Sequence, residues 1–403
     1  MTRRKDWPHA AGNSPQPSPS PHPLLSRRLH VRPAFVEVDL AAIRGNIRAI
    51  RGVIGPGAAI AAIVKAGAYG HGAVEVSDAA LDAGVALLCV AIADEGIELR
   101  EAGLRAPILV LGPPNATEID DTLAHDLMPS VGEPQHAVMV AEAARRLGRQ
   151  ARVHVKLDTG MGRHGARPEV AHSLAERLTD LREIEVAGVF SHFAEATDLE
   201  WTSHQVEQFI AMCAEFGCGR PGGPIRHLCN SVGLLRLPEA RFEMVRPGAI
   251  LYGFNPGYDP ALTPEGLRPV MTLRCLVSAV KTIQAGQPVG YGMTWHAPRD
   301  SRIAVLSVGY ADGYPRALSG NADVLINGRR CPLIGRVSMD AITVDVTDAG
   351  LVAIGDEAVL IGRQGDERIT IEEIAERAGT IGQEIVCRLA PRLPRVYLGR
   401  SED

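Results

Sequence analysis

Residues Ala61–Gly72 read AAIVKAGAYGHG. The apolar run that leads into this stretch, Ala58 to Val64, predicts a buried strand. Gly67, Gly70 and Gly72 predict a loop after it, with a helical pattern from His71 onward. Lys65 therefore falls at the C-terminal end of a strand, its ammonium directed into the loop region. A lysine so placed, when poorly solvated, can lose its proton and form a Schiff base with an aldehyde. A surface lysine capping a strand end explains the local spacing equally well.

Seven more apolar runs follow: ALLCVAI, PILVLG, DLMPSV, RVHVKLDT, EVAGVFSHF, PIRHLCNS and MVRPGAILYG. The segments between them, such as SHQVEQFIAMCAEFG, have helical apolar spacing, and several end in glycine. Eight strand–helix units over about 200 residues predict an α/β fold, a TIM-type (β/α)8 barrel, with functional groups at the C-terminal strand ends. After Leu267 strand-like runs dominate, and Asn327-Gly328 between apolar residues predicts a hairpin. TIEEIAERAG, with a threonine cap and glutamates in its first turn, predicts one helix there. The expected organisation is a disordered Pro/Ser-rich tail over 1–33, a barrel over 34–266 and a mostly-β domain over 267–403. FVEVDL, at the start of the barrel segment, precedes the first barrel strand and is free to pair with the β domain.

Composition narrows the function. The 403-residue chain has 46% hydrophobic residues and a net charge of −5, which argues against a general nucleic-acid binder. Seven scattered cysteines with no CxxC fit free thiols in a reducing compartment. The histidine spacing gives no metal site. No stretch of about 18 apolar residues suggests a membrane span.

The chemistry-bearing residues fall where such a barrel would use them. Lys65 ends the first strand, KLDTGMGRHG (Lys156–Gly165) follows the fifth, His192 ends the sixth, Asn230 and Ser231 the seventh, and Arg246 lies in the eighth. Any one alone is a satisfied polar group at a strand end; jointly they point to a site. In HLCNSVG, a hydroxyl and free N–H groups at a helix start make an anion site or an ordinary N-cap. In the β domain, SVGYADGYPR places Tyr310 before a turn, and GRVSMD carries Met339.

These strings, in this order, resemble those of the alanine racemase family, from about residue 34 to the C-terminus. The resemblance implies pyridoxal 5'-phosphate (PLP) bound to Lys65, with Tyr69 and the site at Asn230, Ser231 and Gly248 around its phosphate. Arg246 would face the pyridine nitrogen and His192 would pack near the ring. A permanent cation cannot accept the pyridine proton, so the ring is a weaker electron sink and protonation can compete with transamination. Arg163 would meet the substrate carboxylate, as would the backbone N–H of Met339. Lys156 is often carbamylated in the family and braces that arginine. Tyr310 would be the second base, delivered by the partner of a homodimer with shared sites. The implied function is interconversion of L- and D-alanine by a Lys65/Tyr310 pair, supplying D-alanine for peptidoglycan in the cytoplasm. The alternatives are an alanine/serine racemase, a PLP decarboxylase on the same fold, and a non-catalytic PLP carrier. Carriers resemble the barrel alone, and residues supporting a decarboxylase are missing from the β domain. The chain departs from the family at Gly67, usually Asn, and at Pro391, usually a tyrosine that walls the side-chain pocket. Loss of that wall predicts a roomier pocket and measurable turnover of serine.

Overall fold

The structure, a computed structural model, describes residues 33–254 and 260–400; the expected disordered tail lies outside them apart from Pro33. Eight short parallel strands form one sheet: β2 (Ala59–Ile63), β3 (Leu87–Val90), β4 (Ile108–Val110), β5 (Met128–Val131), β6 (Ala151–Lys156), β7 (Ile184–Phe190), β8 (Ile225–His227) and β9 (Met244–Val245). β2 pairs with both β3 and β9. Just beyond the other edge, Arg246 N–H donates to Cys229 O at 2.9 Å, which closes the ring. Strands buried on both faces need continuous apolar runs, which is why they stand out in the sequence.

β1 (Ala34–Asp39) is not part of this barrel. It pairs antiparallel with β10 (Met271–Ile283) and parallel with β19 (Arg395–Leu398), so residues 34–39 belong by pairing to the β domain. Asp39 then caps the helix Leu40–Ile54, accepting from Ala42 N–H at 2.9 Å. That helix buries Leu40, Ile43, Ile47, Ile50 and Ile54 along one face. Its Asn46 donates to Leu251 O and Arg268 O and accepts from Arg268 N–H, which ties the end of the barrel to the start of the β domain.

In the β domain, β10 pairs with β13 (Ser301–Leu306), followed by β16 (Ile342–Asp345), β15 (Arg329–Ile334), β14 (Asp323–Ile326) and β17 (Glu357–Gln364), which returns to β10. The β14–β15 hairpin turns on Asn327 and Gly328, with φ of 53° and 68°, the positive pair a tight hairpin requires. Thr370 caps the helix Ile371–Ala378 through Glu373 N–H. Among the described residues no helix is long and apolar enough to cross a membrane.

Candidate active site

Lys65 lies two residues beyond the end of β2, after Val64, and the chain then makes a turn that composition alone conceals. Ala66, Gly67, Ala68, Tyr69 and Gly70 all have positive φ, between 53° and 76°. A left-handed turn costs about 1–2 kcal/mol for each residue with a Cβ, so it persists only if over-determined. Ala68 N–H donates to Val64 O at 2.8 Å and Gly72 N–H to Gly67 O at 2.8 Å. Glu95 accepts from Ala66 N–H and Ala91 N–H. Buried His71 directs Nδ1 at both Ala68 O and Tyr69 O. Two carbonyls can only accept, so Nδ1 carries the hydrogen, and burial pulls the ring's pKa down to about 4, keeping it neutral. The C-terminal segment closes over the turn: Arg395 Nε donates to Gly70 O at 3.0 Å. A Cβ on Gly70 would lie 2.2 Å from Val386 O. Gly67 fits the position the family fills with Asn, since both residue types tolerate this conformation.

The turn brings Tyr69 beside Ser231 and Gly248. Tyr69 stacks on Tyr252 with centroids 5.0 Å apart. Burial, then Cys387, raises its pKa to about 12, so the phenol keeps its proton. Ser231 Oγ accepts from Gly248 N–H at 2.9 Å and Ile250 N–H at 3.4 Å, which leaves its own O–H to donate outward. A Cβ on Gly248 would lie 2.8 Å from Tyr69 Oη, so glycine keeps this cradle open. Asn230 turns inward as an N-cap, accepting from Gly233 N–H. Its role is to start the helix Ser231–Arg236.

Arg246 is buried, and both of its terminal nitrogens are engaged. It donates to Ser191 O, Leu228 O, His227 O and, at 2.9 Å, His227 Nδ1; His192 Nδ1 lies at 3.5 Å. Arginine cannot accept, so His227 Nδ1 is bare and its Nε2–H donates to His154 Nδ1 at 2.8 Å. Burial, then Arg246, keeps His227 well below the ordinary range. Burial, then Arg152, holds His154 down to about 3. His192 is neutral for the same reason as His227. Arg246 is itself lowered only to about 10 and stays cationic at neutral pH.

Lys156, at the end of β6, is buried with its Nζ 4.8 Å from the Phe190 ring centroid. Burial first, then the cations of Arg246, Arg163 and Lys65, lower its pKa to about 7. The next loop is folded by Asp158, which accepts from the N–H groups of Gly160, Met161 and Gly162. This loop presents Arg163 at the surface of the site.

Lys65, Tyr69, Lys156, Arg163, His192, Asn230, Ser231, Arg246 and Gly248 line one cavity of about 800 Å³, in the range of roughly 300–1,000 Å³ usual for small-ligand sites. Phe190 and, from the β domain, Ile381 and Gln383 line it as well. The chain's own Tyr310 and Met339 do not; they lie 42% and 53% exposed on the β domain. Pro391 is exposed and also lines no part of this cavity, and its side chain adds nothing to the wall. Tyr291, on the turn VGYGM, is another exposed aromatic of the β domain: it is 73% exposed between Gly290 and Gly292, whose φ values are 75° and 72°.

Family models for the N-terminal and C-terminal domains of alanine racemase match residues 38–256 and 270–397. The chain belongs to the alanine racemase family. An alanine racemase of Symbiobacterium thermophilum is 45% identical over 373 residues, covering 92% of this chain and 98% of that one. Among solved structures, the alanine racemase of Clostridium difficile 630 superposes with a TM-score of 0.86 at 35% identity, covering 91% and 96% of the two chains. The alanine racemase of Bartonella henselae, solved with covalently bound pyridoxal phosphate, superposes at 0.82 with 28% identity, covering 91% and 100%. The two-domain order of this family, barrel then β domain, is the order found here.

Proposed function

We propose that this protein is a PLP-dependent racemase that interconverts L- and D-alanine. The observation that carries this reading is the convergence, in one cavity, of Lys65, the Tyr69–Ser231–Gly248 cradle and the fixed cation Arg246. The cradle fits a phosphate: it offers two hydroxyl donors and a glycine that clears the space. Arg246 fits the pyridine nitrogen, because its hydrogen bonds lock it and it cannot take up a proton. Bound there through Lys65, PLP would supply the electron sink that weakens the Cα–H bond of an amino acid.

The chain's own residues would do the rest. Lys65 Nζ, freed by substrate, would accept or return the α proton on one face. Racemisation needs a second carrier on the opposite face. Tyr69 is held protonated and is committed to the cradle, and His192 is a neutral neighbour of Arg246. The second carrier therefore comes from the β domain of a second copy, and a homodimer with shared sites is part of the proposal. Tyr310 has this role by resemblance. Gly290 and Gly292 pack against Arg336, in the segment that carries Met339. Tyr310 lies beside the same segment. Arg163 and the Met339 N–H, which has no partner among the described residues, would hold the substrate carboxylate. The lowered pKa of Lys156 favours carbamylation. Its free amine would form an N–C bond to carbon dioxide and release a proton, and the carbamate would then attract Arg163. D-alanine for peptidoglycan, made in the cytoplasm, is the role this activity would serve.

The test is a chiral assay on L- and D-alanine and on serine with PLP added, followed by borohydride reduction and peptide mapping. The pyridoxyl group is expected on Lys65, with both alanine enantiomers converted. A label on Lys156 or Lys281, or no interconversion, would overturn the reading.

A further inference from the structure

Two segments of the β domain carry groups assigned above to a partner's site: the turn Gly309–Asp312, with Tyr310, and the segment Gly335–Asp340, with Met339. They are joined by backbone hydrogen bonds, Tyr310 N–H to Ser338 O at 3.0 Å and Ala311 N–H to Met339 O at 2.9 Å. Their approach is so close that a Cβ on Gly309 would lie 2.3 Å from Ser338 O and 2.4 Å from Met339 O. Gly335 in turn packs on Val289 O, at the base of the Tyr291 turn. The three elements pack into one tip.

One side chain from a distant stretch pins this tip. Arg392 Nε donates to Asp312 Oδ1 at 2.6 Å, and its Nη2 donates to Asp340 Oδ1 at 2.5 Å. Asp312 is fully buried; its other oxygen accepts from Gly309 N–H at 2.9 Å, and its backbone O accepts from Ala390 N–H at 3.0 Å. Asp340, beside Met339, is largely exposed. A pair so open to water contributes little to stability, so what the second contact fixes is position. Only a planar, multi-donor fork can hold two carboxylates at set angles; a lysine ammonium cannot hold both in the same geometry.

We propose that Arg392 is a positioning residue for the groups the β domain delivers to a partner subunit's cavity, setting the Tyr310 turn and the Met339 N–H in one register. This rests on the racemase reading above. It also gives the PRLPR stretch a role that does not depend on Pro391. Misplacement of reacting groups by about 1 Å costs up to ~10²-fold in rate, and the Met339 contact adds a binding component.

The experiment compares dimeric, PLP-loaded R392A, R392K and D340N with the wild type for kcat and KM in both directions, with PLP content, dimer mass and Tm measured alongside. R392A is expected to lose ~10- to 100-fold in kcat and to raise KM while keeping PLP and the dimer. D340N should chiefly raise KM, and R392K should fall between. If R392A does not fold, the same split in R392K and D340N supports the proposal. Wild-type kcat and KM in R392A overturn it. So does a loss in R392K that follows PLP content or Tm instead of the kcat–KM split, because that marks a merely structural role. A wild-type enzyme that fails to racemise alanine sinks the racemase reading itself, which separates the two failures.

Discussion

Lys156 shows how much a single side chain's surroundings decide. Lys156 has an ordinary pKa of about 10.5 and is brought down to about 7 by burial and three cations. Above pH 7 its amine is therefore mostly free, and below pH 7 ammonium dominates. Between about 7 and 10.5 the unfolded chain binds the extra proton, so this group's contribution to stability rises with pH across that window. Carbamylation needs the free amine. With ¹³C-bicarbonate, a carbamate signal is expected at about pH 8, fading as the pH falls below 7 and absent in Lys156→Arg; a signal that persists unchanged well below pH 7 would contradict the assignment. Tyr310→Phe should lower kcat by roughly 10²- to 10⁴-fold, as loss of an acid/base group does, with PLP retained. Near-normal turnover in both directions would refute the two-base scheme.

At the scale of the element, the left-handed turn after β2 is where sequence and structure part company. The eight barrel strands were legible because buried parallel strands demand unbroken apolar runs, and the Asn327-Gly328 hairpin because positive φ selects those residues. Ala66, Ala68 and Tyr69 carry no such mark. Their conformation is imposed by His71 just after the turn and, from a distance, by Glu95 and Arg395, neither of which local pattern connects to Lys65. The same holds for the Arg246–His227–His154 chain, whose members come from three separate stretches of the barrel, and for β1, which precedes the barrel in sequence but pairs in the β domain. The turn makes a sharp prediction. Gly67→Asn should change stability little, whereas Gly67→Val should cost about 1–2 kcal/mol. Gly70→Ala should cost ~2 kcal/mol or more and weaken PLP binding, since its Cβ meets backbone at Val386. Chemical denaturation with and without PLP measures both; equal stability of Gly67→Val and Gly67→Asn would show that the turn is not held as described.

Over the whole molecule, the barrel holds the lysine, the cradle and the buried cation of Arg246, while the groups that would complete the chemistry stand exposed on the β domain of the same chain. Tyr310 and Met339 line no part of their own chain's cavity, so under the racemase reading a monomer would hold half a site. In the proposed two-fold dimer each cavity would be completed by its partner. Lys65→Ala and Tyr310→Phe homodimers should both be nearly inactive, each for a different reason. Mixed and allowed to exchange subunits, they form hybrids in which one of the two sites has both an intact lysine and an intact tyrosine. With equal inputs, half of the dimers are hybrids with one working site each, so activity should recover to roughly a quarter of wild type. Recovery on that scale, with exchange followed independently by native mass spectrometry, is what a site shared between chains predicts. Hybrid dimers that form in the expected proportion and stay as inactive as their parents would contradict it.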